Sequence, residues 1–320
     1  MSIKIKSKIV YIGIICVAVI LCATAGFFIY KNLTSEKDMP VNEGAGDTVK
    51  TNTVQTKAVT TITSTEVNGY KINFTHSSFA DSIIDESNKI DITKEGKKIW
   101  GEVIDQDFGG FYVDGVGDWI KDADDLKKKA IEDITGNGIP ELIIKGYSGG
   151  AHCCFHTYII ELSNPISILF DLDTGNSGIE FKDLNNDGVM ELVTNEDVFA
   201  YWYTSFAASP MPEVVLSLQN GKYRADPKYM RKAVPTGKEI KAEADGVESW
   251  SGAQGPEVTW KYAIDLIYSG NMPSAKKYVD LAWRPDIAGE FKSKEEFWRE
   301  LDETIKDSPY YNDLAPFFNL

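Results

Sequence analysis

The sequence has few of the residues on which most metalloproteins and redox enzymes depend. Its 320 residues include four cysteines and three histidines. Cys16 and Cys22 lie in an apolar N-terminal run, so the body of the protein has only Cys153 and Cys154. The phosphate-binding motifs G-x-G-x-x-G and G-x-x-x-x-G-K are also absent. The sequence therefore gives no support to a nucleotide-binding enzyme.

Basic residues are too few for a nucleic-acid-binding protein. The chain has 33 Lys and Arg against 48 Asp and Glu, and its net charge is -15. Because the first 30 residues hold three lysines and no acid, the remaining 290 residues carry -18. A nucleic-acid-binding surface requires a basic patch, so we expect no nucleic-acid partner. Hydrophobic residues make up 43 % of the chain, which is enough for a packed core.

The N-terminal run, residues 9–30, has 22 residues and no charge. At 1.5 Å per residue, such a helix would cross the roughly 30 Å hydrocarbon core of a bilayer. Lys4, Lys6 and Lys8 precede it, which predicts a cytoplasmic N-terminus and a body outside the cytoplasm. The alternative is a cleaved signal peptide ending near Ala23-Thr24-Ala25, followed by secretion. We therefore expect residues 1–30 to be a membrane anchor or a signal sequence.

The next segment, residues 31–66, is rich in threonine and poor in aromatic residues. Such a composition buries little apolar surface. It predicts a flexible linker that holds the body away from the membrane.

A pattern of acidic and amide residues occurs twice, fifty positions apart. Residues 133–142 and 183–192 both read D-x-[TN]-x-[ND]-G-x-x-E-L and continue into β-branched residues. Oxygen-bearing side chains at alternate positions, with a glycine that reverses the chain, suit a hard cation such as Ca²⁺. The alternative is that Asp, Asn and Gly form turns that need no metal.

The ninth position of the pattern distinguishes it from an EF-hand, whose bidentate glutamate is at position twelve. Position twelve is Ile144 in the first copy and Thr194 in the second. With glutamate at position nine, the loops resemble the FG-GAP or VCBS-type repeats of integrin-like β-propellers and bacterial surface proteins. The resemblance covers residues 130–195 and implies loops that join β-strands.

The resemblance also implies two calcium sites. The second loop would bind the ion more tightly, because it has three carboxylates against two. The first set would be Asp133, Thr135, Asn137, the Ile139 carbonyl and Glu141, and the second Asp183, Asn185, Asp187, the Val189 carbonyl and Glu191.

A glycine-rich stretch with two adjacent cysteines follows the first loop; residues 146–156 read G-Y-S-G-G-A-H-C-C-F-H. Outside the cytoplasm we expect thiols to oxidise, which would give a vicinal disulfide between Cys153 and Cys154. Such a bridge would be strained, because adjacent Cα atoms are only about 3.8 Å apart. Two alternatives stay open. One is free thiols, and the other is a zinc or copper site formed by His152, Cys154 and His156 on one strand face.

Short alternating apolar runs separated by Gly and Asp predict a β-rich domain over residues 67–230. We expect it to be propeller-like or an irregular antiparallel sheet, because two repeats are short of the four to eight blades of a closed propeller. The predicted strands lie near residues 70–74, 90–92, 99–103, 111–113, 141–145, 155–162, 166–170, 179–181, 192–194 and 214–218.

Beyond a connector at residues 231–256, the apolar spacing becomes helical and predicts a small helical domain over 257–320. Packing against the helical domain's own core accounts for the apolar stripes, and peptide binding is the alternative. Ser293-x-x-Glu296 is a capping box for the third helix. The stripes are Trp260, Ala263, Ile264 and Ile267; Ala275, Tyr278, Val279 and Ala282; and Phe297, Leu301 and Ile305.

Together these features predict an α+β body after an N-terminal transmembrane helix, displayed at the cell surface. The expected role is non-catalytic binding or a structural contribution at the envelope. The partner would be an extracellular protein, a glycan or a wall component. The main alternative is an extracytoplasmic enzyme, either a hydrolase with paired carboxylates or a metal or redox enzyme using residues 152–156. A third hypothesis is a sensor.

Overall fold

The computed structural model describes residues 59–79, 82–105, 111–112, 122–147, 154–249, 257–284 and 291–318. The predicted anchor and most of the predicted linker lie outside these residues. Within the described ranges, no helix has both the length and the apolar character needed to cross a bilayer.

The first sheet is an antiparallel meander of four strands. Asn68-Gly69 and Glu95-Gly96 form two-residue hairpin turns in which both residues have positive φ. Turns of this type match the right-handed twist of paired strands. The strands are β1 (Val59–Val67), β2 (Tyr70–Phe79), β3 (Ser82–Lys94) and β4 (Lys97–Asp105).

Strand β1 corrects the prediction that the flexible linker extends to residue 66. Its threonines are β-branched and suit a strand, and β1 pairs with β2 from Val59–Ser78 to Val67–Tyr70. Side-chain burial contributes little, because Val59 and Ile62 are 59 % and 64 % exposed. Backbone pairing with β2, which composition does not reveal, orders this segment.

Two further antiparallel sheets follow. The second has the order β5-β7-β8-β9, with β6 also paired to β7, and the third has the order β10-β11-β12-β13. As described, none of the three sheets closes into a barrel or a propeller, so the irregular antiparallel alternative is the one observed. The strands are β5 (Phe111–Tyr112), β6 (Ile131–Glu132), β7 (Glu141–Tyr147), β8 (Phe155–Glu161), β9 (Ser167–Gly175), β10 (Glu180–Lys182), β11 (Glu191–Asn195), β12 (Glu213–Gln219) and β13 (Lys222–Ala225).

The predicted α+β class is confirmed. The predicted helices correspond to α4 (Glu257–Tyr268), α5 (Met272–Ala282) and α6 (Lys294–Lys306). Every residue of their three apolar stripes is buried. The capping box forms, since Ser293 Oγ accepts a hydrogen bond from the Glu296 N–H at 3.2 Å. The sequence did not predict α1, α2, α3 or α7. Of these, α3 lies in the predicted connector. The helices are α1 (Ala123–Ala130), α2 (Pro227–Met230), α3 (Gly237–Ser249), α4 (Glu257–Tyr268), α5 (Met272–Ala282), α6 (Lys294–Lys306) and α7 (Tyr311–Phe318), with a 3-10 turn at Phe206–Ala208.

Apolar side chains from the second sheet contribute to two core clusters. On β7, Leu142 and Ile144 join the first sheet and α1, whereas Ile143 joins the third sheet and the helices of residues 237–318. This division follows from the alternation of side chains along a strand.

The described apolar residues of the helical segment belong to the same core cluster as those of the third sheet. Trp202, from the loop after β11, contacts Phe297 of α6 with ring centroids 6.0 Å apart, and Phe199 contacts Tyr268 of α4 at 6.1 Å. The apolar stripes are therefore buried by packing, but in a core that they share with the third sheet and not in a core confined to the predicted helical domain.

Candidate functional site: the two repeated loops

Each repeated loop lies immediately before a strand. Residues 133–141 lead into β7 of the second sheet, and residues 183–191 lead into β11 of the third. In both loops the first aspartate accepts hydrogen bonds from two backbone N–H groups of the same loop, which fixes the turn. The donors are Gly136 and Gly138 to Asp133, both at 2.8 Å, and Asp187 and Gly188 to Asp183, at 3.1 and 3.0 Å.

The ninth-position glutamates close both loops in the same way. Glu141 Oε2 accepts from the N–H of Ile134, and Glu191 Oε2 accepts from that of Leu184, each at 2.8 Å. Both carboxylates are buried, with 0 % and 3 % of the residue exposed. Thr135 Oγ1 also donates to Glu141 Oε1 at 3.1 Å. The repeated sequence pattern therefore produces a repeated hydrogen-bond pattern.

The two loops contact each other, which their separation in sequence does not indicate. The N–H of Met190 donates to the carbonyl of Ile134 at 2.8 Å. At Gly136, where φ is +68°, an added Cβ would lie 2.9 Å from the Gly188 carbonyl oxygen. The loops therefore form one junction between the second and third sheets.

The junction is rich in acidic side chains. Among the described residues, no Lys, Arg or His forms an ion pair with Asp133, Glu141, Asp183, Asp187 or Glu191. Burial raises the pKa of Glu141 to about 7, against the lowering effect of its hydrogen bonds from Ile134 and Thr135. The neighbouring Asp133 and Glu161 add to the rise.

The oxygen atoms of both loops are of the kinds that bind a hard cation, since each loop has carboxylate oxygens, an amide or hydroxyl oxygen and a backbone carbonyl. The positions of the alternate side chains are set by backbone bonds. Asn137 Oδ1 accepts from Ile139 at 2.7 Å, and Asp187 Oδ1 accepts from Val189 at 2.8 Å. In the described part of the chain, no three His, Cys, Asp or Glu side chains lie close enough to hold a metal ion together. Calcium would therefore depend on the amide, hydroxyl and carbonyl oxygens as well as on the carboxylates.

The structure describes only part of the stretch that contains the adjacent cysteines and the two histidines. Cys154 is disulfide-bonded, so it does not supply the thiolate that a zinc or copper site would need. His156 Nε2 lies 2.8 Å from Asp171 Oδ1 on the neighbouring strand. His152 and Cys153 are outside the described residues, so the vicinal pairing stays a prediction.

A buried glutamate that the sequence did not single out lies just after β11. Glu196 is 0 % exposed, and its Oε2 accepts from Tyr268 Oη at 3.0 Å and Ser308 Oγ at 2.5 Å. Its Oε1 accepts from the N–H groups of Asp197 and Val198 at 3.1 and 3.2 Å. Burial raises the pKa of Glu196. No local signal could have revealed this network, because Tyr268 and Ser308 are 72 and 112 positions away.

No protein-family model matches the chain, and no solved structure matches it. Over 89 residues it is 36 % identical to a protein of Synechocystis sp. described as a probable thylakoid lumen protein. That segment is 27 % of this chain and 26 % of the relative. The match thus spans about a quarter of the relative's length.

Proposed function

We propose that this protein is an extracytoplasmic, non-catalytic module in which calcium binds the two repeated loops and fixes the junction between the second and third sheets. One observation carries the proposal: the two loops share one hydrogen-bond pattern and contact each other through the Met190 N–H and the Ile134 carbonyl. Similar loops that lay far apart would be explained as two ordinary turns.

Charge at the junction supports a role for a cation. Five carboxylates are gathered there without a basic partner in the described residues. Two of them, Glu141 and Glu191, are buried, and burial of an uncompensated carboxylate is unfavourable. A bound Ca²⁺ would offset this cost, and its binding free energy would add to the stability of the folded state. The resemblance to FG-GAP or VCBS-type repeats implies that calcium would fix loops that join strands.

Three observations support a location outside the cytoplasm. The charge-free N-terminal run is preceded by lysines, and Cys154 is disulfide-bonded, as suits an oxidising compartment. The partial relative is described as a protein of the thylakoid lumen. On this proposal the body is presented at the envelope to an extracellular protein, a glycan or a wall component.

Thermal unfolding of the full chain in detergent, in EDTA and in millimolar calcium, tests the proposal. Free calcium at 100 times its dissociation constant would stabilise the folded state by about 2.7 kcal/mol. We expect Asp183→Asn to abolish most of the calcium-dependent rise in Tm, and Asp133→Asn to abolish less. Asp245→Asn is the matched control, because this α3 carboxylate is exposed and pairs with Lys241.

An equal Tm in EDTA and in calcium would refute the proposal. So would a calcium-dependent rise that persists when Asp133→Asn and Asp183→Asn are combined. Magnesium at the same concentration should give a smaller rise, because it prefers a smaller octahedral site.

A further inference from the structure

Each repeated loop has one asparagine among its proposed calcium ligands, Asn137 in the first loop and Asn185 in the second. Among the described residues, no three His, Cys, Asp or Glu side chains form a metal-binding group, so calcium would need these amide oxygens. Only the Oδ1 end of an asparagine can bind a cation, because the Nδ2 end is a hydrogen-bond donor. The orientation of each amide therefore matters to the proposed function.

The Oδ1 end of each amide is fixed from within its own loop. Asn137 Oδ1 accepts the N–H of Ile139 at 2.7 Å, and Asn185 Oδ1 accepts the N–H of Asp187 at 2.8 Å. A backbone N–H can only donate, so the Nδ2 end faces the other way in both loops. An amide oxygen that accepts one such bond has a second lone pair for a cation.

In the first loop, the Nδ2 end is held by a carboxylate from outside the loop. Asn137 Nδ2 donates to Glu161 Oε2 at 2.7 Å. Glu161 is the last residue of β8 and pairs with Glu141, the first residue of β7. The register of the two strands therefore places this carboxylate beside the loop, although it lies 24 positions away from Asn137 in the chain.

In the second loop, the outside partner is a tyrosine of α2. Asn185 Nδ2 donates to Tyr229 Oη at 2.8 Å, and also to Asp187 Oδ2 of its own loop at 2.8 Å. Asp226 caps α2, and its Oδ2 accepts a hydrogen bond from Ser217 Oγ of β12 at 2.7 Å. The third sheet, and not the loop, therefore positions the tyrosine.

We propose that Glu161 and Tyr229 are positioning residues for calcium, each of which holds an asparagine so that its amide oxygen is presented to the ion. This inference rests on the proposed function and adds two residues that lie outside the repeated sequence pattern. A side chain already held in its binding orientation loses less conformational freedom when the ion binds, which raises affinity. Residues that orient metal ligands in this way typically contribute roughly 10- to 100-fold to metal affinity.

Calorimetric calcium titration of the full chain in detergent, with one loop disabled at a time, tests the proposal. Asp133→Asn leaves the second loop, and Asp183→Asn leaves the first. With the second loop alone, Tyr229→Phe should weaken calcium binding by about tenfold. Tyr203→Phe is the matched control and should leave calcium binding unchanged, because this hydroxyl donates to Glu300 of α6 at 3.3 Å.

Two substitutions of Glu161 separate its hydrogen bond from its charge. With the first loop alone, Glu161→Ala should weaken calcium binding by about tenfold. Glu161→Gln removes the charge but keeps an oxygen that can accept from the Asn137 amide, so its loss of affinity should be clearly smaller.

A double-mutant cycle separates orientation of the amide from a merely structural role of the tyrosine. Asn185→Asp presents an oxygen at both ends of the side chain, so its orientation no longer matters. In that background Tyr229→Phe should have little effect on calcium affinity, whereas a structural effect of the tyrosine would persist.

The failure of this inference can be told apart from the failure of the proposed function. If the parent chain binds no calcium, both fail. If the parent binds calcium but Tyr229→Phe or Glu161→Ala keeps the affinity of its loop, only this inference is overturned. It is also overturned if Glu161→Gln loses as much affinity as Glu161→Ala, or if Tyr229→Phe has the same effect with and without Asn185→Asp.

Discussion

Replacement of Glu196 by alanine should be among the most destabilising changes outside the apolar core. The carboxylate accepts hydrogen bonds from two hydroxyls and two N–H groups, and it links the third sheet to α4 and to the turn between α6 and α7. Glu196→Ala would leave these four donors without their acceptor in a fully buried site. An unsatisfied buried donor costs about 1 to 3 kcal/mol.

The four costs do not add fully, because water can enter the space left by the side chain and the hydroxyls can rotate. Release of the buried carboxylate also recovers part of its desolvation cost. We therefore expect Glu196→Ala to lower the free energy of unfolding by about 3 to 5 kcal/mol, which is less than four separate costs would sum to. Glu196→Gln keeps the shape of the side chain, and the two hydroxyls can turn to accept from its amide. We expect it to cost less than about 1.5 kcal/mol.

Urea unfolding followed by far-UV circular dichroism measures both changes, and comparable m-values would show that both variants unfold from a similarly compact state. A loss below about 1 kcal/mol for Glu196→Ala would refute the reasoning, because an acceptor for four buried donors would then be dispensable. A loss for Glu196→Gln as large as that for alanine would show that the negative charge, and not the hydrogen bonds, is what matters.

Two further predictions concern the loop junction. Gly136→Ala should lower the free energy of unfolding, measured in urea, by at least about 1 to 2 kcal/mol, since φ is +68° and the new Cβ would meet the Gly188 carbonyl. The control is Gly246→Ala in α3. No atom lies within 4 Å of its new Cβ, so this change should be neutral or stabilising. In EDTA, the raised pKa of Glu141 predicts that its protonated carboxyl group contributes about 3 kcal/mol to the free energy of unfolding. This contribution is fully present below pH 4.5 and is lost as the pH rises through about 7. Urea unfolding of Glu141→Gln across this range should lack that decline, and a decline equal to the parent's would contradict the burial argument.

The sequence was sufficient for features that depend on neighbouring residues. Apolar spacing identified the buried faces of α4, α5 and α6, because a helix face is set by residues three and four positions apart. The D-x-[TN]-x-[ND]-G pattern located both loops, because their aspartates bond N–H groups at most five positions away. Calcium binding in those loops stays a prediction.

Only the tertiary structure decided which of these elements meet. Composition alone suggested a flexible linker up to residue 66, but pairing with β2 makes Val59–Val67 a strand. The contact between the two loops and the Tyr268 and Ser308 donors of Glu196 join residues far apart in the chain. Local patterns depend on bonds within a few residues. Burial and long-range hydrogen bonds depend on which surfaces exclude water together, and that is settled only when the whole chain packs.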